Sequence, residues 1–302
     1  MGWRDTLNFV VESPRTPNGV EPKAEQPTTG VHYETDWART PVSRAVREVG
    51  VWGFMKPAVA LYAPSRVMGA DRLQDVDGPV VFAANHQSHA DTTVLMAAIP
   101  SHLRRKLAVA AGADYFFPNR VASAASALFI GAVPIERTKL SRLSIQHVLD
   151  AIGDDHSVLI YPEGGRSSDG FGSDHRPGAA FVARRAGVPV VPIYLHGTGE
   201  VMPKGQNWPT RHRTAVVFGR PMTVTDGEDA RGFADRIQQR IDELADEFES
   251  GWWAARQRAA SGETPSLTGP ETGAWRRRWA RDADQRAAAA RRRGDVKRWP
   301  AR

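Results

Sequence analysis

The sequence predicts an α/β fold, a mixed, mostly parallel sheet flanked by helices, with an N-terminal helical segment and a basic C-terminal tail. Short continuous apolar runs alternate along the chain with segments whose apolar residues recur every three or four positions. The runs are typical of strands buried on both faces, and the periodic segments are typical of helices packed on a sheet. With 302 residues, of which 41% are hydrophobic, the chain is long enough to bury such a core.

The predicted elements follow one another from residue 41 onward. Apolar residues at three- and four-residue steps predict an amphipathic helix or helix pair over 41–61. Strands are predicted over 79–84, 106–110, 132–135, 157–161, 188–195 and 214–218. Helices are predicted over 92–98, 122–129, 141–152, 179–186 and 231–255. Asp91 is expected to be the N-cap of the first of these helices, and the alternation as a whole predicts the α/β class.

Composition divides the chain into three parts. Residues 1–40 are rich in Pro, Gly, Thr and charge, and we expect an irregular arm. Residues 41–255 are expected to form the folded domain. Residues 256–302 contain 13 Lys or Arg against 5 Asp or Glu, together with three Trp, and we expect a flexible Arg- and Trp-rich tail. The net charge of +6 therefore comes from the tail.

Several classes of protein are excluded or disfavoured by what the sequence lacks. The chain has no cysteine, which excludes disulfides, thiolate metal sites and a cysteine nucleophile. The first residues lack the basic start and apolar run of a secretory signal, so export by that route is not expected. The stretch 49–68 is interrupted by Lys56, Pro57, Pro64 and Arg66, so no membrane-spanning helix is expected.

The first motif is Asn-His-Gln-Ser-His-Ala-Asp at 85–91, which follows a predicted buried strand. His86 and Asp91 lie five residues apart across a strand-to-helix turn. The carboxylate can therefore reach one ring nitrogen of the histidine and leave the other for a substrate hydroxyl. On these residues alone, a histidine that is merely hydrogen-bonded at a helix start is an equally good interpretation. His89 is a rival for the same role, although its position inside the turn favours packing or contact with solvent.

Two further motifs stand at the ends of predicted strands. Arg137 ends the segment Gly-Ala-Val-Pro-Ile-Glu-Arg, where its planar side chain can pair with a phosphate or with neighbouring Glu136. The segment Tyr-Pro-Glu-Gly-Gly-Arg-Ser at 161–167 combines a tight glycine turn with charges of both signs, which suits an anion. Its candidate residues are Glu163, Gly164, Gly165 and Arg166. Because such strand ends meet at one edge of a sheet, the three motifs predict a single site.

Over residues 50–220 these motifs, in this order, resemble those of the glycerolipid acyltransferase family, which includes lysophosphatidic acid and glycerol-3-phosphate acyltransferases. The segment 85–91 matches the family's His-x-x-x-x-Asp block. The segments 131–137 and 161–167 match its second block and its Pro-Glu-Gly block, and Val-Pro-Ile-Tyr at 191–194 is similar to the fourth.

Two positions depart from the family pattern. Gly165 replaces a residue that commonly carries a hydroxyl, and Arg176 stands where the family usually has a lysine. The resemblance therefore says more about the reaction than about the acceptor.

The resemblance implies an enzyme that moves a fatty acyl group from acyl-CoA or acyl carrier protein to a hydroxyl of a phosphate-containing glycerolipid. The acceptor it favours is 1-acyl-glycerol-3-phosphate, in phospholipid biosynthesis, and the alternative is another lysolipid or a glycolipid. It implies His86 as general base and Asp91 as its orienting partner, with no metal or other cofactor. The residues it implies at the substrate are Arg137, Glu163, Gly164, Gly165 and Arg166.

A lipid acceptor also implies contact with a membrane. We expect a cytoplasmic protein that binds peripherally to the anionic inner face of the cell membrane. The aromatic and apolar residues of 46–62 could lie in the interface, although packing against the sheet accounts for them equally well. The Trp and Arg residues of the tail suit anionic headgroups, or form a solvated, disordered run.

Two rival functions come from other classes. Arg-rich segments with aromatic residues also bind nucleic acids, but the basic residues are confined to the tail and no nucleic-acid partner is expected. A serine hydrolase with His86 as its base is disfavoured because the sequence has no Gly-x-Ser-x-Gly motif.

Overall fold

The computed structural model describes residues 30–136, 141–167, 170–203, 206 and 208–269, which contain a seven-stranded sheet. The strands are β1 (Ser65–Met68), β2 (Val81–Ala84), β3 (Leu107–Gly112), β4 (Ala132–Ile135), β5 (Ser157–Ile160), β6 (Val190–His196) and β7 (Thr214–Phe218). Their order is β1-β7-β6-β2-β5-β3-β4. Neighbouring strands are parallel, except β6 and β7, which are antiparallel. The predicted mixed, mostly parallel sheet is confirmed.

Helices connect the strands and cover both faces of the sheet. The predicted N-terminal helical segment is confirmed as α1 (Pro41–Gly50), a π-helical turn (Val51–Met55) and α2 (Lys56–Tyr62). The helices that follow are α3 (Ala90–Ala98), α4 (Ser101–Arg104), α5 (Ala113–Phe116), α6 (Arg120–Ile130), α7 (Arg142–Gly153), α8 (Gly178–Ala186), α9 (Thr198–Val201), α10 (Ala230–Ser250) and α11 (Trp252–Ser261). Single 3-10 turns occupy Gly30–His32, Asp36–Arg39 and Ala70–Leu73.

Alternate residues of the central strand β2 enter two different cores. Phe82 and Ala84 pack with the π-helical turn, α2 and α3, whereas Val81 and Ala83 pack with α7, α8 and α10. All four residues are buried. This double burial explains why the strand is a continuous apolar run in the sequence. It also fixes the loop after β2 at the middle of the sheet's carboxyl edge, beside the loop after β5.

Two elements differ from the prediction. The sequence did not predict β1, an edge strand whose central residues Arg66 and Val67 are exposed, because it lacks a continuous apolar run. The helix predicted over 231–255 is divided at Gly251, whose backbone φ of 89° and ψ of 154° end α10. A glycine reaches this conformation without the strain that a Cβ would bring.

Helix α1 begins at Pro41, and the Thr40 side chain caps its first turn by accepting a hydrogen bond from the Ser43 amide. Part of the predicted arm, residues 30–40, is packed rather than irregular, since the Gly30 amide donates to the Phe117 carbonyl at 3.0 Å. Residues 1–29 lie outside the described part of the chain.

The predicted boundary between domain and tail falls inside α11. The Arg258 guanidinium donates to the Asp246 carboxylate of α10 at 2.8 Å, and Ala255 is buried beneath it. Residues 256–269 are thus placed against the domain, contrary to the prediction of a flexible tail from residue 256. The remainder of the predicted tail, 270–302, lies outside the described residues.

Candidate active site

The His86 imidazole lies at the carboxyl end of β2 and is held by a buried carboxylate. His86 Nδ1 is 2.9 Å from Asp91 Oδ2, and Asp91 is fully buried. With the Asp91 oxygen as the acceptor of this bond, Nδ1 is the donor and carries the proton. Nε2 is then the nitrogen with a lone pair to offer a substrate, on a side chain that is 18% exposed.

The same Asp91 oxygen also fixes the turn that carries the histidine. Oδ2 accepts hydrogen bonds from the amides of Gln87 at 2.8 Å and Ser88 at 2.9 Å. The prediction that Asp91 is the N-cap of the helix is wrong, since α3 begins at Ala90 and its N-cap is His89. Asp91 lies in the first turn, from which its carboxylate reaches back to the loop.

The imidazole is supported from one face by Tyr161, at the end of β5. The two rings stack with centroids 4.0 Å apart and an interplanar angle of 17°. The Tyr161 hydroxyl lies 2.9 Å from the Thr92 hydroxyl. Burial raises the pKa of Tyr161 well above its ordinary value, so the phenol stays neutral. The sequence analysis assigned no role to Tyr161, and only its place in the third motif pointed to it.

Glu163 lies beneath the histidine loop, rather than facing the pocket as its predicted contact with the acceptor would need. Its Oε1 accepts a hydrogen bond from the His86 amide at 2.7 Å, and its Oε2 accepts one from the Ser173 amide at 3.0 Å. The residue is 5% exposed, and burial raises the pKa of Glu163 to about 7. Both oxygens are used in fixing backbone, so this geometry indicates a positioning residue.

The glycine turn after Glu163 opens onto a pocket beside His86. Gly164 has a φ of +72°, and a Cβ there would lie 3.0 Å from the Arg176 guanidinium. Gly164, Gly165 and Arg166 all line the pocket, so the structure brings these three predicted residues to the histidine. Arg137, which the sequence also assigned to the substrate, lies outside the described residues. Ile135, two residues before it, lines the same pocket.

The pocket is a small cleft of about 100 Å³ with an apolar wall. Its lining includes Val109 to Gly112 at the end of β3, together with His86, Tyr161 and the residues from Gly164 to Arg166. Ala110 and Ile135 also line an adjacent apolar cavity between the sheet and helices α7 and α8. A polar group and an apolar group of one substrate could therefore be accommodated side by side.

His89, the rival base, lies in the wall of the pocket with a different partner. Its ring stacks on Tyr115 with centroids 5.0 Å apart, and its Nε2 is 3.1 Å from the Tyr115 hydroxyl. Burial, and then the positive charge of Arg166, lower the pKa of His89. The carboxylate that could orient a base is thus beside His86 and not beside His89.

Asn85, directly before His86, holds the strand end in place, and the sequence analysis assigned it no role. Its side-chain amide donates to the Leu195 carbonyl at 3.0 Å, and its side-chain oxygen accepts from the Leu195 amide at 2.7 Å. Asn85 is buried. The pair of bonds joins the end of β2 to β6 directly before the histidine. A polar residue directly after a continuous apolar strand was the available signal.

Residues 64–196 match the model of the family described as Acyltransferase. They include the His86–Asp91 pair, the 161–167 turn and the strands that carry them. This region belongs to the Acyltransferase family. The resemblance found in the motifs is thereby confirmed at the level of the family.

Curated relatives agree with this assignment. The chain is 32% identical over 209 residues to the 1-acyl-sn-glycerol-3-phosphate acyltransferase of Chlamydomonas reinhardtii. The aligned region covers 68% of this chain and 55% of the relative. Chloroplastic proteins of the same name from Brassica napus and Arabidopsis thaliana are 31% and 30% identical, over 59% and 60% of this chain and 49% of each relative. The chain spans about half the length of the curated relatives it matches.

The fold is also that of a solved structure. The crystal structure of the 1-acyl-sn-glycerophosphate acyltransferase PlsC from Thermotoga maritima superposes with a TM-score of 0.57, at 19% identity, over 73% of this chain and 85% of that one. Among the described residues, no helix is both long and apolar enough to cross a membrane.

Proposed function

We propose that this chain transfers a fatty acyl group from acyl-CoA, or from acyl carrier protein, to the free hydroxyl of 1-acyl-glycerol-3-phosphate. The observation that carries the proposal is the His86–Asp91 pair at 2.9 Å, in a pocket that Arg166 also lines. The names of the curated relatives support this choice of acceptor. This reaction would be one step of phospholipid biosynthesis.

His86 acts as the base. Nε2 takes the proton of the acceptor hydroxyl, and the oxygen attacks the thioester carbonyl and forms a new C–O bond. The tetrahedral intermediate then collapses, the C–S bond breaks, and the proton on Nε2 passes to the leaving thiolate. Asp91 keeps the ring oriented and stabilises the imidazolium between these two transfers. The step needs no acyl-enzyme and no metal.

The acceptor phosphate is bound by arginine. Arg166 lines the pocket with His86 and offers a planar, two-point donor for a phosphate. Arg137 stays a predicted second contact. Gly164 and Gly165 line the same pocket and leave room for the headgroup. Arg166→Ala should therefore raise the KM for the phosphate-bearing acceptor more than the KM for the donor.

The chain reaches its lipid substrates through peripheral contact with a membrane. One face of the N-terminal helices packs on the sheet through Val51, Met55 and Val59. The opposite face leaves large apolar side chains exposed: Val42, Val46, Val49, Trp52, Phe54 and Leu61. This face supports insertion into the interface of an anionic bilayer, which we place at the cytoplasmic side of the cell membrane.

An acceptor panel tests the proposed reaction. Purified protein is mixed with oleoyl-CoA and vesicles that contain lysophosphatidic acid, another lysolipid or no acceptor, or with glycerol-3-phosphate, and the acylated product is measured by mass spectrometry. Formation of phosphatidic acid with lysophosphatidic acid alone supports the proposal. Transfer to a different lysolipid would replace the acceptor. No product from either oleoyl-CoA or oleoyl-acyl carrier protein would contradict the activity.

A further inference from the structure

The segment that follows α11, residues 264–269, lies against the loop formed by residues 170–173, next to the active site. The Leu267 amide donates to Asp242 Oδ1 on α10 at 3.0 Å, and the Leu267 carbonyl accepts from the Gly172 amide at 2.8 Å. The Leu267 side chain packs against two clusters of buried residues, one that contains Tyr194 and one that contains Phe233. We call this segment, residues 264–269, the strap.

The loop that the strap holds is in direct contact with Glu163. Ser173, the residue after Gly172, donates its amide to Glu163 Oε2 at 3.0 Å. A Cβ built on Gly172 would lie 3.5 Å from Glu163 Oε2 and 3.5 Å from the Leu267 carbonyl oxygen. The loop is therefore packed between the strap on one side and the buried carboxylate on the other.

A second contact fixes the strap to this loop. Gly269 has a φ of +69°, and a Cβ there would collide with the Phe171 ring. The strap thus approaches the loop closely at two places, through the Leu267 backbone and at Gly269. Both contacts require the strap to lie at its present position along the loop.

These contacts end at the catalytic histidine. Glu163 Oε1 accepts from the His86 amide at 2.7 Å, so a continuous set of hydrogen bonds and short backbone steps runs from Asp242 to His86. We propose that Asp242 and the strap are positioning elements for His86, which hold the 170–173 loop against Glu163 and so fix the backbone of the base. The inference rests on the proposed function, in which His86 is the base.

Asp246, the neighbouring carboxylate on α10, serves as a comparison because it connects two helices. Asp246, one helical turn after Asp242, is equally buried, at 7% against 8% exposed. It receives Arg258 at 2.8 Å and the Ser250 hydroxyl at 2.9 Å, and so attaches α11 to α10. Asp242 instead receives the Leu267 amide of the strap.

The test compares Asp242→Ala with Asp246→Ala in the full chain. We expect Asp242→Ala to lower kcat about fivefold or more, the effect of one buried hydrogen bond, with each KM within about twofold. Asp246→Ala should lower stability without this loss of kcat. Asp242→Asn keeps an oxygen that accepts from Leu267 and should restore most of kcat. Equal kcat for the two alanine variants would overturn the proposal.

A glycine pair gives a second test if Asp242→Ala does not fold. Gly269→Ala forces the strap away from Phe171, whereas Gly262→Ala, at a φ of +72°, carries the same backbone cost and meets nothing within 4 Å. Only Gly269→Ala should lower kcat, and hydrogen exchange of the His86 and Ser173 amides should accelerate with it. Unchanged exchange in Gly269→Ala would overturn the proposal whatever the activity. An inactive wild type with strap-dependent exchange would instead refute the proposed function alone.

Discussion

The two loops that form the site differ in how far along the chain their partners lie. In the loop after β2, the bonds that orient His86 come from Asp91, five residues on, and the same oxygen holds the amides of Gln87 and Ser88. In the loop after β5, Glu163 is bound to the amides of residues 77 positions before it and 10 positions after it. The imidazole of the first loop is thus oriented by a near neighbour in the sequence, whereas the Glu163 carboxylate of the second loop is held by residues farther away along the chain.

Loss of the Asp91 charge is expected to have a large effect on turnover. Asp91→Asn keeps the shape and an oxygen that can accept the three hydrogen bonds now made to Oδ2, but it removes the negative charge that supports the imidazolium. We expect kcat to fall by about 10³-fold, within the range for general-base catalysis. Steady-state kinetics measure this, with circular dichroism as the control for folding. A loss of less than tenfold would contradict the role of Asp91.

The buried carboxylate of the second loop predicts a pH effect on stability. Burial raises the pKa of Glu163 to about 7 from its ordinary 4.5, so the stability gained from protonated Glu163 is present below pH 4.5 and lost as the pH rises through about 7. Relative to Glu163→Gln, the free energy of unfolding of the wild type should fall over this window by up to about 3 kcal/mol. Denaturant unfolding of both proteins from pH 4 to 8 measures it. A constant difference would contradict burial of an ionisable group.

Glu163→Gln is also expected to change the kinetics. The glutamine presents its NH2 group to one of two amide donors, so either His86 or Ser173 loses its acceptor. We expect kcat to fall about tenfold with smaller changes in KM, because the base is displaced while the pocket keeps its lining. A change confined to the KM for the acceptor would contradict this role and favour the contact between Glu163 and the substrate that the sequence predicted.

The smallest expected effect is at the turn that follows. Gly164→Ala places a Cβ 3.0 Å from the Arg176 guanidinium, so the arginine must move and the KM for the acceptor should rise about threefold to fivefold, with roughly 1 kcal/mol lost from stability. Gly187→Ala is the matched control, since its φ is +69° and nothing lies within 4 Å. It should lose similar stability and leave KM unchanged. Equal KM values for the two variants would contradict a role for this turn.

The difference between the loops also explains what could be read from the sequence. The alternating runs predicted six of the strands and the sheet type, and the spacing of His86 and Asp91 predicted their bond, since both signals are local. The exposed edge strand β1 and the break at Gly251 left no such signal. The places of Glu163, Tyr161 and the strap depend on partners from distant parts of the chain, which spacing alone does not bring together.

Acceptor-dependent release of coenzyme A, measured for His86→Ala and for His102→Ala, tests directly whether His86 is the base. His102, before β3, lies within hydrogen-bond distance of the Leu73 carbonyl at the opposite edge of the sheet and shares only its residue type with His86. We expect His86→Ala to lose about 10³-fold or more in kcat while it still folds and binds donor, and His102→Ala to keep wild-type turnover. Near-wild-type turnover in a folded His86→Ala protein would contradict the claim that this histidine is the base.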